Sequence, residues 1–438
     1  MSYKAYDNYK NSGIKWIGDI PKDWEVIKSK HCFKLNSGYA FKSSDFVDEG
    51  ACLIRIGDIV EGSIDLDNCK KLPLEYSQLL KEYSIESGDV LIALTGATIG
   101  KIGQVPNTDV KMLLNQRVGK LSSKFSNYYK YLLCSDFIQA QIRLIAEGSA
   151  QENISNDDIG NFFILDVDDE TKLTISNYLD KKTLEIDENI AKNKELISLL
   201  EEKKVSLINQ VVTKGLDPNV HMKDSKVNWA STIPNSWDVV LAKRFCKIET
   251  GGTPKRENLS YWENGTINWM TSGEVNQEII SETKNKITED GLNNSNAHLL
   301  PKNAIVMALS GQGQTKGRVA ILDIKTCCSQ SVGAFICDNK NIYFKYLFYY
   351  FKSRYYDIRG LVGDNLRDGL SLSIIGNIPV LLPPFEEQIS ISKFLDDNIP
   401  NINDTILKIE ENIKLLEEYK NSLIHHVVTG KIDVRDEI

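Results

Sequence analysis

The segment LLEEKKVSLINQVVTKG at 199–215 returns as LLEEYKNSLIHHVVTGK at 415–431, and that recurrence decides the architecture. Self-similarity at a fixed offset defines a repeat before any single motif can. Working outward at the same offset of about 215 residues, KNSGIKWIGDIPKDW (10–24) faces KDSKVNWASTIPNSW (223–237), FKLNSG (33–38) faces CKIETG (246–251), and ALTG (93–96) faces ALSG (308–311). Gln116 and Val118 match Gln330 and Val332, KYL at 130–132 matches KYL at 345–347, and IGN at 159–161 matches IGN at 375–377. Each half is therefore a globular domain followed by a long helix. Similarity is dense in the helix and sparse in the domain, a pattern of shared scaffolding and divergent ligand surfaces.

The helices carry a heptad. Ile186, Ile190, Asn193, Ile197, Leu200, Lys204, Leu207 and Val211 alternate steps of four and three, and Ile402, Ile406, Ile409, Ile413, Leu416, Lys420, Leu423 and Val427 repeat them. This is the spacing of a coiled-coil seam, so the two helices are predicted to pair. A first helix over about 171–213 would be roughly 60 Å long at ~1.5 Å per residue. Because it leaves the first domain and enters the second through the short link 214–232, antiparallel pairing implies domains at opposite ends and pseudo-two-fold symmetry. Polar seam residues can fix register, but Lys204 and Lys420 read here as snorkelling side chains.

With 42% hydrophobic and 26% charged residues in 438, the composition is that of a globular chain. No apolar run approaches the ~20 residues of a bilayer span, and the N-terminus lacks the pattern of a signal peptide, so a cytoplasmic location is expected. The eight cysteines lack CxxC spacing and read as reduced core residues, not as a zinc or disulfide framework. The net charge of −8 requires any nucleic-acid face to be local or completed by partners. Short β-rich runs such as CLIRIGDI, DVLIALTG, AIVMALSG and RVAILDI alternate with turns and with the aromatic helical stretch YFKYLFYYFKSRYY, which predicts mixed α/β, or α+β, domains. The division is 1–165, an N-terminal segment and first domain; 166–213, a central helix; 214–380, a linker and second domain; and 381–438, a C-terminal helix.

Motifs for catalysis do not close. TGATIGKI (95–102) is one residue short of a P-loop and has Ile102 where a hydroxyl must bind magnesium, and GQGQTKG (311–317) lacks dinucleotide-fingerprint spacing. LPPFEEQ (382–388) has Leu382 in place of the asparagine with which adenine methyltransferases hold a flipped base. Its prolines are predicted to end a strand and open the second long helix, with Glu386 and Glu387 in the first turn. His425 and His426 are adjacent and so cannot share a helix face as metal ligands. No nucleophile setting and no metal site is predicted. Loops that pair amides with cations suit groove reading, since Arg and Lys match guanine and Asn and Gln match adenine. The DNA-contact candidates are Arg55, Lys101, Asn115, Gln116 and Arg117 in the first domain, and Lys255, Arg256, Gln312, Gln314, Lys316, Arg318 and Arg367 in the second.

Over essentially its full length the chain resembles the specificity subunits of type I restriction-modification systems. The resemblance is carried by SGIKWIGDIPKDW and VNWASTIPNSW, by LSLSIIGNIPVLLPPFEEQISISKFLD, and by the repeated LLEE-x-K-x-SLI-x-x-VVT helix ends. It implies two target-recognition domains that each read one half of a bipartite, asymmetric site in double-stranded DNA. It further implies helices that set the gap and dock two modification (methyltransferase) subunits, with no catalysis by this chain alone. S-adenosylmethionine would belong to the modification subunits, and ATP and magnesium to the partner assembly that includes restriction (translocase and nuclease) subunits. One departure is that the first repeat has DVDDETK (166–172) where the second has LPPFEEQ, which leaves the start of the first helix open. The competing readings are a stand-alone two-domain DNA methyltransferase or nuclease with degenerate motifs, and a coiled-coil scaffold without DNA affinity.

Overall fold

The computed structural model describes residues 3–14, 17–60, 62–147, 153–311, 313–362 and 369–437. Contacts divide the chain into two units, and each is composite: unit one holds 1–194 with 410–438, and unit two holds 195–409. The long helices are therefore not separate bodies. Each is divided between the units.

In unit one a six-stranded sheet runs in the order Lys34–Ser37, Val118–Ser122, Val90–Ala93, Ile102–Gln104, Ser63–Ile64, Ile59–Val60. A four-stranded sheet follows the order Lys70–Leu72, Ala51–Ile54, Met112–Leu114, Ser84–Ile85. Val90–Ala93 is buried at every residue because it is covered on both faces. Val90 and Ile92 join the core beneath the helices, while Leu91 and Ala93 join a second core, so the strand reads as a continuous apolar run and does not alternate.

Unit two reproduces this topology. Its five-stranded sheet runs Cys246–Thr250, Val332–Cys337, Ile305–Ala308, Val319–Leu322, Ile279–Ile280, and its smaller sheet runs Asn285–Ile287, Ile267–Met270, Cys327–Cys328. In both units the short strand beyond the central hairpin pairs parallel. Ile305 and Met307 face one core, and Val306 and Ala308 the other. Neither unit is a βαβ series, and the mixed α/β class holds in each.

The long helices span Asp169–Lys214 and Phe385–Val428. The first opens on Asp168, whose carboxylate accepts from the Thr171 N–H at 2.9 Å. The second opens after strand Pro379–Leu382 with Glu386 and Glu387 in its first turn, where carboxylates complement the helix dipole. Every heptad position is buried or half-buried, and from Ile186 to Lys204 and from Ile402 to Lys420 each stands between exposed neighbours. In unit one Ile186 and Ile190 share a core with Leu423 and Val427, and in unit two Leu207 and Val211 share one with Ile391 and Leu395. Within unit two the pairing is antiparallel: Lys204 lies against Asn403, while Gly215 lies against Glu387.

The seam lysines do more than snorkel. Lys420 Nζ donates to both carboxylate oxygens of Asp187 at 2.7 Å, and Lys204 Nζ donates to Asn403 Oδ1 at 3.1 Å. These are the same cross-helix bond in the two repeats, because in each the acceptor directly follows a seam isoleucine, Ile186 or Ile402, of the facing helix. Sequence spacing within one helix does not show such a partner.

Each domain is closed by the helix end that belongs to the other repeat. In unit one Val427, Val428 and Ile432 are buried with Ile20 and Trp24, and the Tyr9 hydroxyl donates to the Gly430 carbonyl at 2.9 Å. In unit two Val211 and Val212 are buried with Ile233 and Trp237. The two most similar stretches of the repeats, the IPxxW openings and the helix ends, are thus packed on each other. Gly430 sits at φ +69°, and a Cβ there would stand 2.4 Å from the Pro21 ring. Gly430→Ala is therefore expected to lower the stability of the chain by more than about 1 kcal/mol, checked by denaturant unfolding; an unchanged midpoint would show that the close approach is not required.

The reduced-cysteine expectation fails at one pair. Cys52 and Cys69 form a disulfide, with Cα atoms 5.8 Å apart. Strand Lys70–Leu72 pairs antiparallel with Ala51–Ile54 and both sulfurs enter one small apolar core, a juxtaposition made by the sheet and invisible in the spacing. The other six cysteines are free.

Candidate nucleic-acid interface

In unit one three segments meet at one edge of the domain: the loop 94–101 between strands Val90–Ala93 and Ile102–Gln104, the turn 115–117, and residues 153–156. The Leu94 N–H donates to the Arg117 carbonyl at 3.0 Å, and the Leu94 carbonyl accepts from the Ile154 N–H at 2.9 Å. A Cβ on Gly38 would lie 1.9 Å from the Leu114 carbonyl oxygen, so only glycine lets the adjoining strand approach. The three segments enclose a cleft of about 700 Å³ lined by Thr95, Gly96, Gln116, Arg117, Asn153 and Asn156, among others.

Of the five candidates in this domain, the structure brings Gln116 and Arg117 into the cleft, both exposed. Asn115 closes their turn by accepting the Arg117 N–H on its side-chain oxygen at 3.2 Å. Lys101 is exposed at the end of the neighbouring loop. Arg55 is partly covered and paired with Asp58, from Nη2 to Oδ1 at 3.3 Å, so its cation is already partnered. Sequence reasoning missed Ser37, Thr95, Asn153 and Asn156. Asn156 Nδ2 donates to Ser37 Oγ at 2.9 Å, while its Oδ1 is without a partner among the described residues. The recurrence of ALTG/ALSG and NSG/ETG was the available signal, since loops repeated in otherwise divergent domains frame a common site.

In unit two Gln314 and Arg318 are brought together. Arg318 donates to the Gln314 carbonyl and side-chain oxygen at 3.1 and 3.2 Å and lies over the Tyr355 ring. They line an opening of about 260 Å³ with Lys352, Tyr355 and Tyr356. Lys316, between them, is buried, 6% exposed. Side chains of so tight a turn diverge, and this one points inward, which removes it from the surface cluster predicted for it. Lys255 and Arg256 are exposed on a separate loop, with Arg256 over the Trp262 ring. Gln312 and Arg367 lie outside the described residues.

A repeated polar clamp ties each domain to its long helix. In unit one Asp180 accepts from the Tyr131 hydroxyl at 2.6 Å, Asn127 Nδ2 at 3.0 Å and Lys130 Nζ at 3.2 Å. In unit two Asp396 accepts from Lys345 Nζ at 2.5 Å and the Tyr349 hydroxyl at 2.8 Å. Burial, and then the Asp180 carboxylate, hold the Tyr131 phenol above its usual pKa, so it stays a donor at neutral pH. The Asp396 hydrogen bond likewise raises Lys345. Rigid docking of a loop-bearing domain onto a helix presents those loops in a defined orientation.

Comparison with known proteins agrees with this geometry. Residues 21–198 and 234–415 match the family model described as the type I restriction modification DNA specificity domain, once per repeat. The chain is 23% identical to the putative type I restriction enzyme MjaX specificity subunit of Methanocaldococcus jannaschii over 99% of both chains. It is 32% identical to the MjaVIII specificity subunit of the same organism over 34% of this chain, a match that spans only 37% of that relative. Among solved structures, a chain from a study of type I R-M complex assembly superposes with TM-score 0.71, at 15% identity, over 94% of this chain and 99% of its own. The HsdS subunit from Thermoanaerobacter tengcongensis follows at 0.54, at 15% identity, over 94% and 98%. These likenesses show the fold, and the family model matched across both repeats shows that the chain belongs to the type I restriction-modification DNA specificity family.

Proposed function

We propose that each globular domain reads one half of a bipartite, asymmetric DNA site, and that the paired helices hold the two readers at a set spacing and dock two methyltransferase subunits. The observation that carries this is the repeat itself: two domains of one topology with different loop side chains, each fixed to a helix by the same clamp. Two weak readers on one scaffold bind with high effective concentration when both half-sites lie in reach, so spacing becomes part of specificity. The long helices also leave large apolar side chains exposed, among them Leu184, Val205 and Leu407, which docked partner subunits would cover. Among the described residues no helix is long and apolar enough to cross a membrane, which is compatible with action on DNA in the cytoplasm. On this reading the chain is not itself an enzyme. S-adenosylmethionine, ATP and magnesium act on the modification and restriction subunits.

The test is a domain exchange. Replacing residues 233–380 with the equivalent domain of a relative, in the complete complex, is expected to change one half-site and leave the other intact in methylome sequencing. The purified chain alone should transfer no methyl groups. A motif in which both halves change, or methyl transfer by the lone chain, would refute the assignment.

A further inference from the structure

The two domains build one backbone frame at the cleft edge and fill it with different side chains. In unit one the Leu94 N–H donates to the Arg117 carbonyl, and in unit two the Leu309 N–H donates to the Ser331 carbonyl at 2.8 Å. The Leu94 carbonyl accepts from Ile154, and the Leu309 carbonyl accepts from Leu370, also at 2.8 Å. Ser155 and Ser371 each cap the short helix that follows, accepting from the N–H three residues on at 3.0 and 3.2 Å. A Cβ on Gly251 would meet a backbone carbonyl at 1.8 Å, as one on Gly38 would at 1.9 Å. These correspondences pair individual positions: Arg117 with Ser331, Asn153 with Gly369, Asn156 with Leu372. All three positions in the first domain line the cleft. By contrast Lys101 and Arg318 also correspond, each donating its N–H to the residue three before, at 3.0 and 3.1 Å, and both are cations.

The parts of a DNA duplex that two different half-sites share are its phosphates, and the parts that differ are its base edges. Chemistry kept at matching positions therefore suits the backbone, and chemistry changed at matching positions suits the bases. Resting on the DNA-reading proposal above, we infer that Arg117 reads a guanine of the first half-site. Its guanidinium bonds O6 and N7, Asn156 shapes the same base pocket, and Lys101 and Arg318 hold phosphates. Arg117 is exposed and its guanidinium has no hydrogen-bond partner among the described residues, so both of its donor edges are available for a bidentate contact.

The experiment uses the full chain assembled with its modification subunits, methylome sequencing, and competition binding on duplexes changed one base pair at a time. Arg117→Met is expected to cut discrimination at one guanine of the first half-site by about 5- to 150-fold, leaving the second half-site unaltered. Asn156→Leu, which gives that position the side chain found at its counterpart, is expected to change preference within the same half-site. Lys101→Ala should weaken all duplexes alike and reduce the salt slope by about one. An Arg117→Met complex that loses affinity uniformly with its base preferences intact, or that changes the second half-site, overturns the inference. A wild-type complex with no sequence preference overturns the DNA-reading proposal itself, and that result is distinct from either.

Discussion

Inserting four residues between Leu200 and Glu201 is expected to lengthen the gap in the recognised site by one to two base pairs, with both half-site sequences unchanged. Four helical residues add about 6 Å, against roughly 3.4 Å per base pair, which sets the upper limit just under two. A four-residue insertion is a stutter, so the seam is displaced only slightly around the helix and packing survives with local unwinding. The insertion falls between Asp187 and Lys204, so the two cross-helix bonds these residues make to Lys420 and Asn403 cannot both keep their register. An exposed ion pair such as Lys420–Asp187 contributes roughly 0–1 kcal/mol, too little to outweigh the apolar seam. The loss of one bond should therefore not prevent folding. Methylome sequencing of a host carrying the complete system decides the matter: a folded variant that keeps the original gap, or that alters half-site bases, would show that the helices are not the ruler.

The second large effect is expected at Trp237. Its side chain is fully buried, its indole N–H donates to Glu387 Oε2 at 3.0 Å, and it lies against Gly215 at the end of the first long helix. Removing it takes out the residue on which the second domain, the end of one long helix and the start of the other converge. Trp237→Ala is expected to cost about 3–5 kcal/mol, a large fraction of the 5–15 kcal/mol that typically holds a domain folded. Because Trp237 belongs to unit two, the loss should be local. Hydrogen exchange should rise across residues 230–382 and remain slow across 25–166, and recognition of the second half-site should fail before that of the first. A cost below about 1 kcal/mol, or an equal rise in exchange in both regions, would show that the tryptophan is not the keystone of this packing.

The repeat, the two long helices and their seam were legible because they are local periodicities. Ile186 through Val211 announce a helix face by spacing alone, and an offset copy at 402–427 announces its partner. The strands were legible for a related reason: DVLIALTG and AIVMALSG are apolar throughout, as strands covered on both faces must be. The candidate site was legible only in part. Gln116 and Arg117 could be named from residue type, yet Asn156, forty residues further along the chain, shares their cleft only because the Ile154 N–H bonds back to Leu94.

Residue type misled wherever the decision was three-dimensional. Lys316 sits within a run of amides and cations but turns inward, and Arg55 spends its charge on Asp58. Cys52 and Cys69 became neighbours through strand pairing. Heptad spacing and repeat offset are written along one dimension, so the chain's own pattern dictates a doubled domain-and-helix architecture with a paired seam. Which helix end closes which domain, which acceptor each seam lysine finds, and which loop residues share a cleft depend on contacts between segments far apart in sequence. Those contacts form where the packing of strands and helices brings backbone donors and acceptors into register, and only the folded structure contains that register.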